Sequence, residues 1–241
     1  MRCWVIALLL GCSCLGGVAQ QSATPSKNSV AALATYAPSS SHILIGDAQK
    51  RRISTSGIEY AHQMLSLHHY DIDYVVMVAP YFRENDPSMV ATTWVDSSGL
   101  RVTTPMNPVR VIKESNTPIG SACGGGSSCS SVYPVYGKGL ITHGFLMSPV
   151  GSRVYFDVTR RVRPTLESSI GMLLTGNDVP IDYSSEKNFV FNVGLGLEVR
   201  ASARISVRAA YLYRHISNAN SGLTNPGIDQ GVFQLSLSQR K

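Results

Sequence analysis

The sequence predicts an all-β protein, an antiparallel up-and-down transmembrane barrel. Three observations carry that expectation: long stretches of period-two alternation, a low charge content and a short apolar leader. Charged residues make up 15% of the 241 residues and apolar ones 44%, against about 25% charged in ordinary soluble domains. No stretch beyond the leader approaches the ~20 consecutive apolar residues of a spanning helix. The apolar residues are spread along strands instead.

The clearest strand is NFVFNVGLGLEVR, Asn188 to Arg200. Phe189, Phe191, Val193, Leu195, Leu197 and Val199 alternate with mostly polar or small residues. Alternation of this kind gives one apolar and one polar face. The run outlasts the ~5–6 residues of a soluble strand and meets the ~9–11 that a tilted strand needs to cross a bilayer.

The pattern recurs. Leu166, Ile170, Met172 and Leu174 share a face opposite Thr165, Glu167, Ser169 and Thr175; Val154, Phe156 and Val158 oppose Arg153, Asp157 and Thr159. Phe233, Leu235 and Leu237 form a last strand, Ile72, Tyr74, Val76 and Val78 an earlier one, and Ile58, Tyr60 and Met64 a weaker one. An apolar-out, polar-in ladder is the mark of an outer-membrane barrel. A soluble lipocalin-like barrel would put the apolar face inside. Strand length, leader and low charge favour the membrane.

The chain opens MRCWVIALLLGCSCLGGVAQ. Arg2, the apolar run Trp4 to Leu10 and the small residues before Gln20 read as a secretory signal peptide over 1–19. A lipoprotein signal ending at Cys12 is the competing reading. Residues 20–56, rich in Ser, Ala, Thr and Pro, are expected to be a poorly ordered N-terminal segment with at most one strand, near Ile43. The barrel domain is then 57–241, with a long loop at 86–133.

Three of the five cysteines lie in the leader, leaving Cys123 and Cys129. In an oxidising compartment this pair predicts a small-loop disulfide, and no metal set accompanies it. His62, His68 and His69 stand near Asp71 and Asp73, but parity separates them, so neither metal nor cofactor is expected. The formal charge of +6 suits an anionic surface such as lipid phosphates, or merely a solvated exterior. With no dense Lys/Arg run, nucleic acid is not expected as a partner.

The chemistry lies in YLYRHISNANSGLTNPGIDQG, residues 211–231. Tyr211 and Tyr213 share the odd, apolar face of their strand, so His215 and Ser217 fall on that face too. Residues i and i+2 of a strand have Cα atoms about 6.5–7 Å apart, so the imidazole can reach the hydroxyl. Asn225-Pro226-Gly227 signals a turn. A symmetric hairpin through this turn sets Asp229 opposite His215. Hydroxyl, imidazole and carboxylate together are what nucleophilic catalysis needs: the ring takes the serine proton and the acid fixes the ring's tautomer. A pair of interfacial polar residues beside a turn is the plainer alternative.

HISNANSGLTNPGID resembles the signature of the lipid A 3-O-deacylase family, also labelled acyloxyacyl hydrolases. SPVGSRVYF, RPTLESSIGMLL, VP and NFVFNVGLGLEVR resemble that family in the same order, over about Tyr136 to Gln239. The resemblance implies an eight-stranded outer-membrane barrel that hydrolyses a fatty-acyl ester of lipopolysaccharide, without cofactor. It implies His215 as general base, Ser217 as nucleophile, and Asp229 where the family has a glutamate one methylene longer. Asn225 and Asn218 are its candidates for oxyanion stabilisation. Two other readings stand beside it: a structural or adhesive barrel without activity, and a soluble periplasmic lipid-binding barrel.

Overall fold

In the computed structural model, eight long strands close into one antiparallel barrel, and a smaller sheet grows from one connection. The structure describes residues 27–67, 69–87, 89–95, 101–103, 111–114, 120–123, 129–137, 139–157 and 160–240. The expected signal peptide lies outside the described residues.

The strands are β1 (Asn28–Ala37), β2 (Arg52–Ser66), β3 (Tyr70–Asn85), β4 (Met89–Val95), β5 (Arg101–Thr103), β6 (Val111–Glu114), β7 (Gly120–Cys123), β8 (Cys129–Gly137), β9 (Ile141–Phe156), β10 (Val162–Val179), β11 (Ser185–Arg200), β12 (Ile205–Ser217) and β13 (Ile228–Arg240). The barrel order is β1-β13-β12-β11-β10-β9-β3-β2, each strand beside its barrel neighbour in sequence. This is the expected up-and-down barrel.

Alternation sorts the side chains as the sequence predicts. Ile58, Tyr60, Leu166, Ile170, Phe189, Leu195, Leu197, Tyr211, Phe233 and Leu235 stand exposed on the outer wall, a belt suited to lipid. The alternate residues point inward and are polar: Glu167, Asn192, Glu198, Arg208 and Arg214 are buried. Arg153 Nη2 lies 2.7 Å from Glu59 Oε2 and 2.9 Å from Glu167 Oε2. Arg208 bonds the same two carboxylates, Glu59 at 3.1 Å and Glu167 at 2.6 Å. Arg163 pairs with Glu198 farther along, and Arg51 with Glu84 at 2.6 Å near the other mouth. Charges removed from water at such cost remain only where each has partners, and these fill the lumen with cross-links.

Three boundaries differ from expectation. The segment 20–56, expected to lack order, supplies β1, which pairs with both β13 and β2 and so closes the barrel. Its sequence, NSVAALATYA, puts small alanines on both faces, which blurs the alternation. Ile43 lies in the connection after β1, not in a strand. The stretch 86–133, expected as a loop, carries β4 to β7 and the start of β8, in a sheet ordered β5-β4-β8-β6 with β7 on β8. Asp86 N–H donates to Leu140 O at 3.0 Å, so β4 and β8 continue the β3–β9 ladder beyond the barrel wall. Cys123 and Cys129 are opposed in the β7–β8 register. The expected strand through Val158 stops at Phe156, and Asp157 turns the chain with φ of 57°; Val158 and Thr159 lie outside the described residues.

The two barrel ends are unlike. Ser29 and Arg240 pair at one end, where the connections β2–β3, β9–β10 and β11–β12 are short. The opposite end carries the longer β1–β2, β3–β9 and β12–β13 connections. Short periplasmic turns and long outer loops are the rule for such barrels, so the second end is the outer one.

Candidate active site

The β12–β13 hairpin ends at this outer rim. Its register sets His215 directly opposite Asp229, Tyr213 opposite Gly231 and Tyr211 opposite Phe233. Directly opposed residues have Cβ atoms about 4.5–5.5 Å apart, close enough for a short acid to meet the ring. His215 Nδ1 lies 2.6 Å from Asp229 Oδ1. A carboxylate only accepts hydrogen bonds, so Nδ1 carries the proton and Nε2 is left as the acceptor. Among the described residues nothing is hydrogen-bonded to Nε2. The missing methylene of aspartate does not prevent contact here.

Asp229 is held from several sides. Tyr213 Oη–H donates to the same Oδ1 at 2.8 Å. The backbone N–H groups of Leu44 and Ile45 donate to Oδ2 at 2.7 and 2.9 Å. The parity of β13 points this side chain outward, yet it is 0% exposed, while His215 keeps 16%. The β1–β2 connection covers it from outside. Four donors converging on two oxygens fit an ionised carboxylate.

Ser217 occupies the same outward face, across from Phe189 of β11. Its hydroxyl donates to Asn225 Oδ1 at 3.0 Å and accepts from Ala219 N–H at 3.2 Å. In this arrangement it is paired with Asn225 and not with His215. Asn225 Oδ1 also accepts from Asn218 N–H at 3.1 Å, and its Nδ2 donates to Asn220 Oδ1 at 3.2 Å. The Asn218 side chain is spent inside the loop, donating to Thr224 O at 2.7 Å and accepting from Asn220 N–H at 2.9 Å. Asn218 is therefore a brace, and Asn225 is the amide beside the hydroxyl.

Gly227 completes the turn with φ of +62°, and a Cβ there would come 3.1 Å from His215 Cε1. Both the left-handed backbone and the close approach call for glycine.

His215, Ser217, Asp229 and Asn225 are thus brought to one patch. The histidines weighed for a metal site are elsewhere: His62 Nδ1 lies 2.7 Å from Asn28 Oδ1, and His69 packs edge-on to Tyr70. His68 lies outside the described residues, and among those described no cluster of metal-ligating side chains occurs.

Sequence reasoning missed two parts of the site. Tyr213 was legible, since it shares the face of His215 two residues earlier. The amides of Leu44 and Ile45 were not, since they come from a segment 184–185 residues distant.

Comparison with known proteins places these residues in context. Two solved structures are similar to this chain: neisserial surface protein A (10% identity, TM-score 0.47, covering 90% of this chain and 98% of that one) and the outer membrane protein OprG from Pseudomonas aeruginosa (9%, 0.41, 90% and 97%). No curated protein sequence matches. The model of the lipid A 3-O-deacylase (PagL) family matches residues 121–238, a span that holds β9 to β12, most of β13 and every side chain of the cluster except the covering amides. Through these strands the chain is similar to the lipid A 3-O-deacylase family.

Proposed function

We propose that this protein is a serine esterase of the Gram-negative outer membrane, removing a 3-O-linked 3-hydroxyacyl chain from lipid A of lipopolysaccharide. The observation that carries the reading is the 2.6 Å contact between His215 Nδ1 and Asp229 Oδ1 on the outward face, two residues from Ser217. Polar groups on a lipid-facing wall are costly unless they serve a purpose.

In the first step Ser217 Oγ turns from Asn225 to His215 Nε2, gives up its proton there and attacks the acyl carbon. The carbonyl oxygen becomes an oxyanion for which the Ala219 N–H, already at the hydroxyl, is one donor, and the Asn225 amide a second once its Nδ2 turns from Asn220. The C–O bond to the sugar breaks, and that oxygen takes the proton from Nε2. Water, deprotonated by the same nitrogen, then attacks the acyl-serine; the acyl–Oγ bond breaks, Ser217 Oγ takes the proton back from Nε2, and the fatty acid leaves. Asp229 holds the ring and stabilises the imidazolium in both halves. The ester is presented sideways, from the outer leaflet, because the site opens on the wall and not into the lumen.

Ser217→Ala is expected to end release of 3-hydroxy fatty acid from lipopolysaccharide, as read by mass spectrometry of lipid A. Undiminished deacylation by that variant would remove Ser217 from the mechanism. A barrel without activity is the second reading, favoured by the hydroxyl's bond to Asn225; wild-type protein inert toward lipopolysaccharide would support it. The Cys123–Cys129 disulfide and a signal peptide over 1–19 belong to the same proposal for a secreted protein.

A further inference from the structure

The β1–β2 connection is a strap laid over the outside of the wall. Its neck is closed by Ser40, which is bridged to Gln230 and whose Oγ donates to Ala48 O at 2.7 Å. From there it is stitched to the hairpin by backbone bonds: Ser41 N–H to Asp229 O at 3.1 Å, Asp47 N–H to Pro226 O at 2.6 Å, and Ala48 N–H to Gly227 O at 3.0 Å. At its crest the Leu44 and Ile45 amides grip Asp229 Oδ2. The fit beneath is tight, since a Cβ on Gly46 would stand 2.5 Å from Asp229 N.

The crest faces outward with three consecutive apolar side chains. Leu44 is 65% and Ile45 67% exposed, with Ile43 beside them. They extend the exposed belt above Tyr36 and Phe233, which pair across β1 and β13 just below. Irregular backbone is tolerated at hydrocarbon depth only where its polar groups are satisfied. The two crest amides meet that condition through the Asp229 carboxylate.

Resting on the esterase reading above, we infer that Ile43–Gly46 is a positioning strap. Its apolar crest seats in the acyl region of the outer leaflet, and its amides fix the carboxylate that orients His215. Seating and site geometry are thereby linked, and the acid is held in line where a lipid surface holds the strap.

Two measurements test this, one independent of activity. Ile45→Trp in a Trp94→Phe background, reconstituted in phosphatidylcholine vesicles, is expected to lose fluorescence to lipids brominated along the acyl chain and to resist aqueous iodide. Quenching by iodide and not by the brominated lipids would overturn the seating. In parallel, Ile45→Pro removes one donor to Oδ2. It should lower kcat at least about tenfold, as loss of a hydrogen bond to a charged group does, with KM within about twofold. Ile45→Val, which keeps the N–H, should restore kcat. Folding of each variant is checked by its resistance to dodecyl sulfate in unheated gels. An Ile45→Pro barrel that folds and keeps its kcat, or that changes KM alone, would overturn the positioning role. Wild type that hydrolyses a nitrophenyl ester but not lipid A would defeat the substrate assignment alone, leaving the kcat comparison readable on that ester. Wild type inert toward both would overturn the esterase reading and the positioning role together.

Discussion

Two polar clusters in this barrel are both well shielded from water, and they differ in kind. Inside the lumen, Glu59, Glu167, Arg153 and Arg208 form a closed set in which each charge meets two of opposite sign. On the outer wall, Asp229 has more donors than the ring alone supplies, but His215 keeps one nitrogen unengaged among the described residues and Ser217 leans on an amide. The inner cluster has spent its bonding capacity on the barrel. The outer one holds some back at the lipid boundary. A saturated network stabilises; a partly open one, placed where polarity is costly, is what the proposed chemistry needs.

That contrast can be broken by substitution. The largest effect is expected at His215: His215→Ala should reduce fatty-acid release by roughly 10⁴–10⁶-fold while urea unfolding in lipid vesicles stays near wild type. Glu59→Ala should do the reverse. It leaves Arg153 and Arg208 underpaired, costing about 3–5 kcal/mol of barrel stability in the same unfolding experiment, with hydrolysis per folded barrel unchanged. If Glu59→Ala instead abolishes activity in barrels that remain folded, the division between the clusters is wrong. Tyr213→Phe sharpens the comparison with a smaller effect. Removing one charge-assisted donor to Asp229 should lower kcat by about tenfold and leave stability within about 1 kcal/mol.

How much of this was legible in the sequence follows from the same contrast. β11, β12 and β13 read plainly because large apolar residues occupy one face and polar ones the other. Parity alone therefore put His215 and Ser217 on the outer wall, and turn symmetry put Asp229 opposite His215, as the register has it. β1 did not read, because Ala31, Ala32 and Ala34 contribute little contrast between faces. The small sheet did not read either: strands of three or four residues, such as Arg101–Thr103 and Val111–Glu114, offer too few positions for a period to register. The strap was beyond reach for another reason. Its contribution comes through backbone amides, which carry no side-chain signature, and it meets Asp229 only through the closure of the barrel by β1 and β13.

The most direct test of the outward-facing cluster is covalent capture of its nucleophile. Protein in lipid vesicles would be treated with a long-chain alkyl fluorophosphonate and the adduct mapped by peptide mass spectrometry. The account predicts a single phosphonylated serine at Ser217, lost in His215→Ala and retained in Glu59→Ala. Modification at another serine, or labelling of Ser217 that persists without His215, would contradict it.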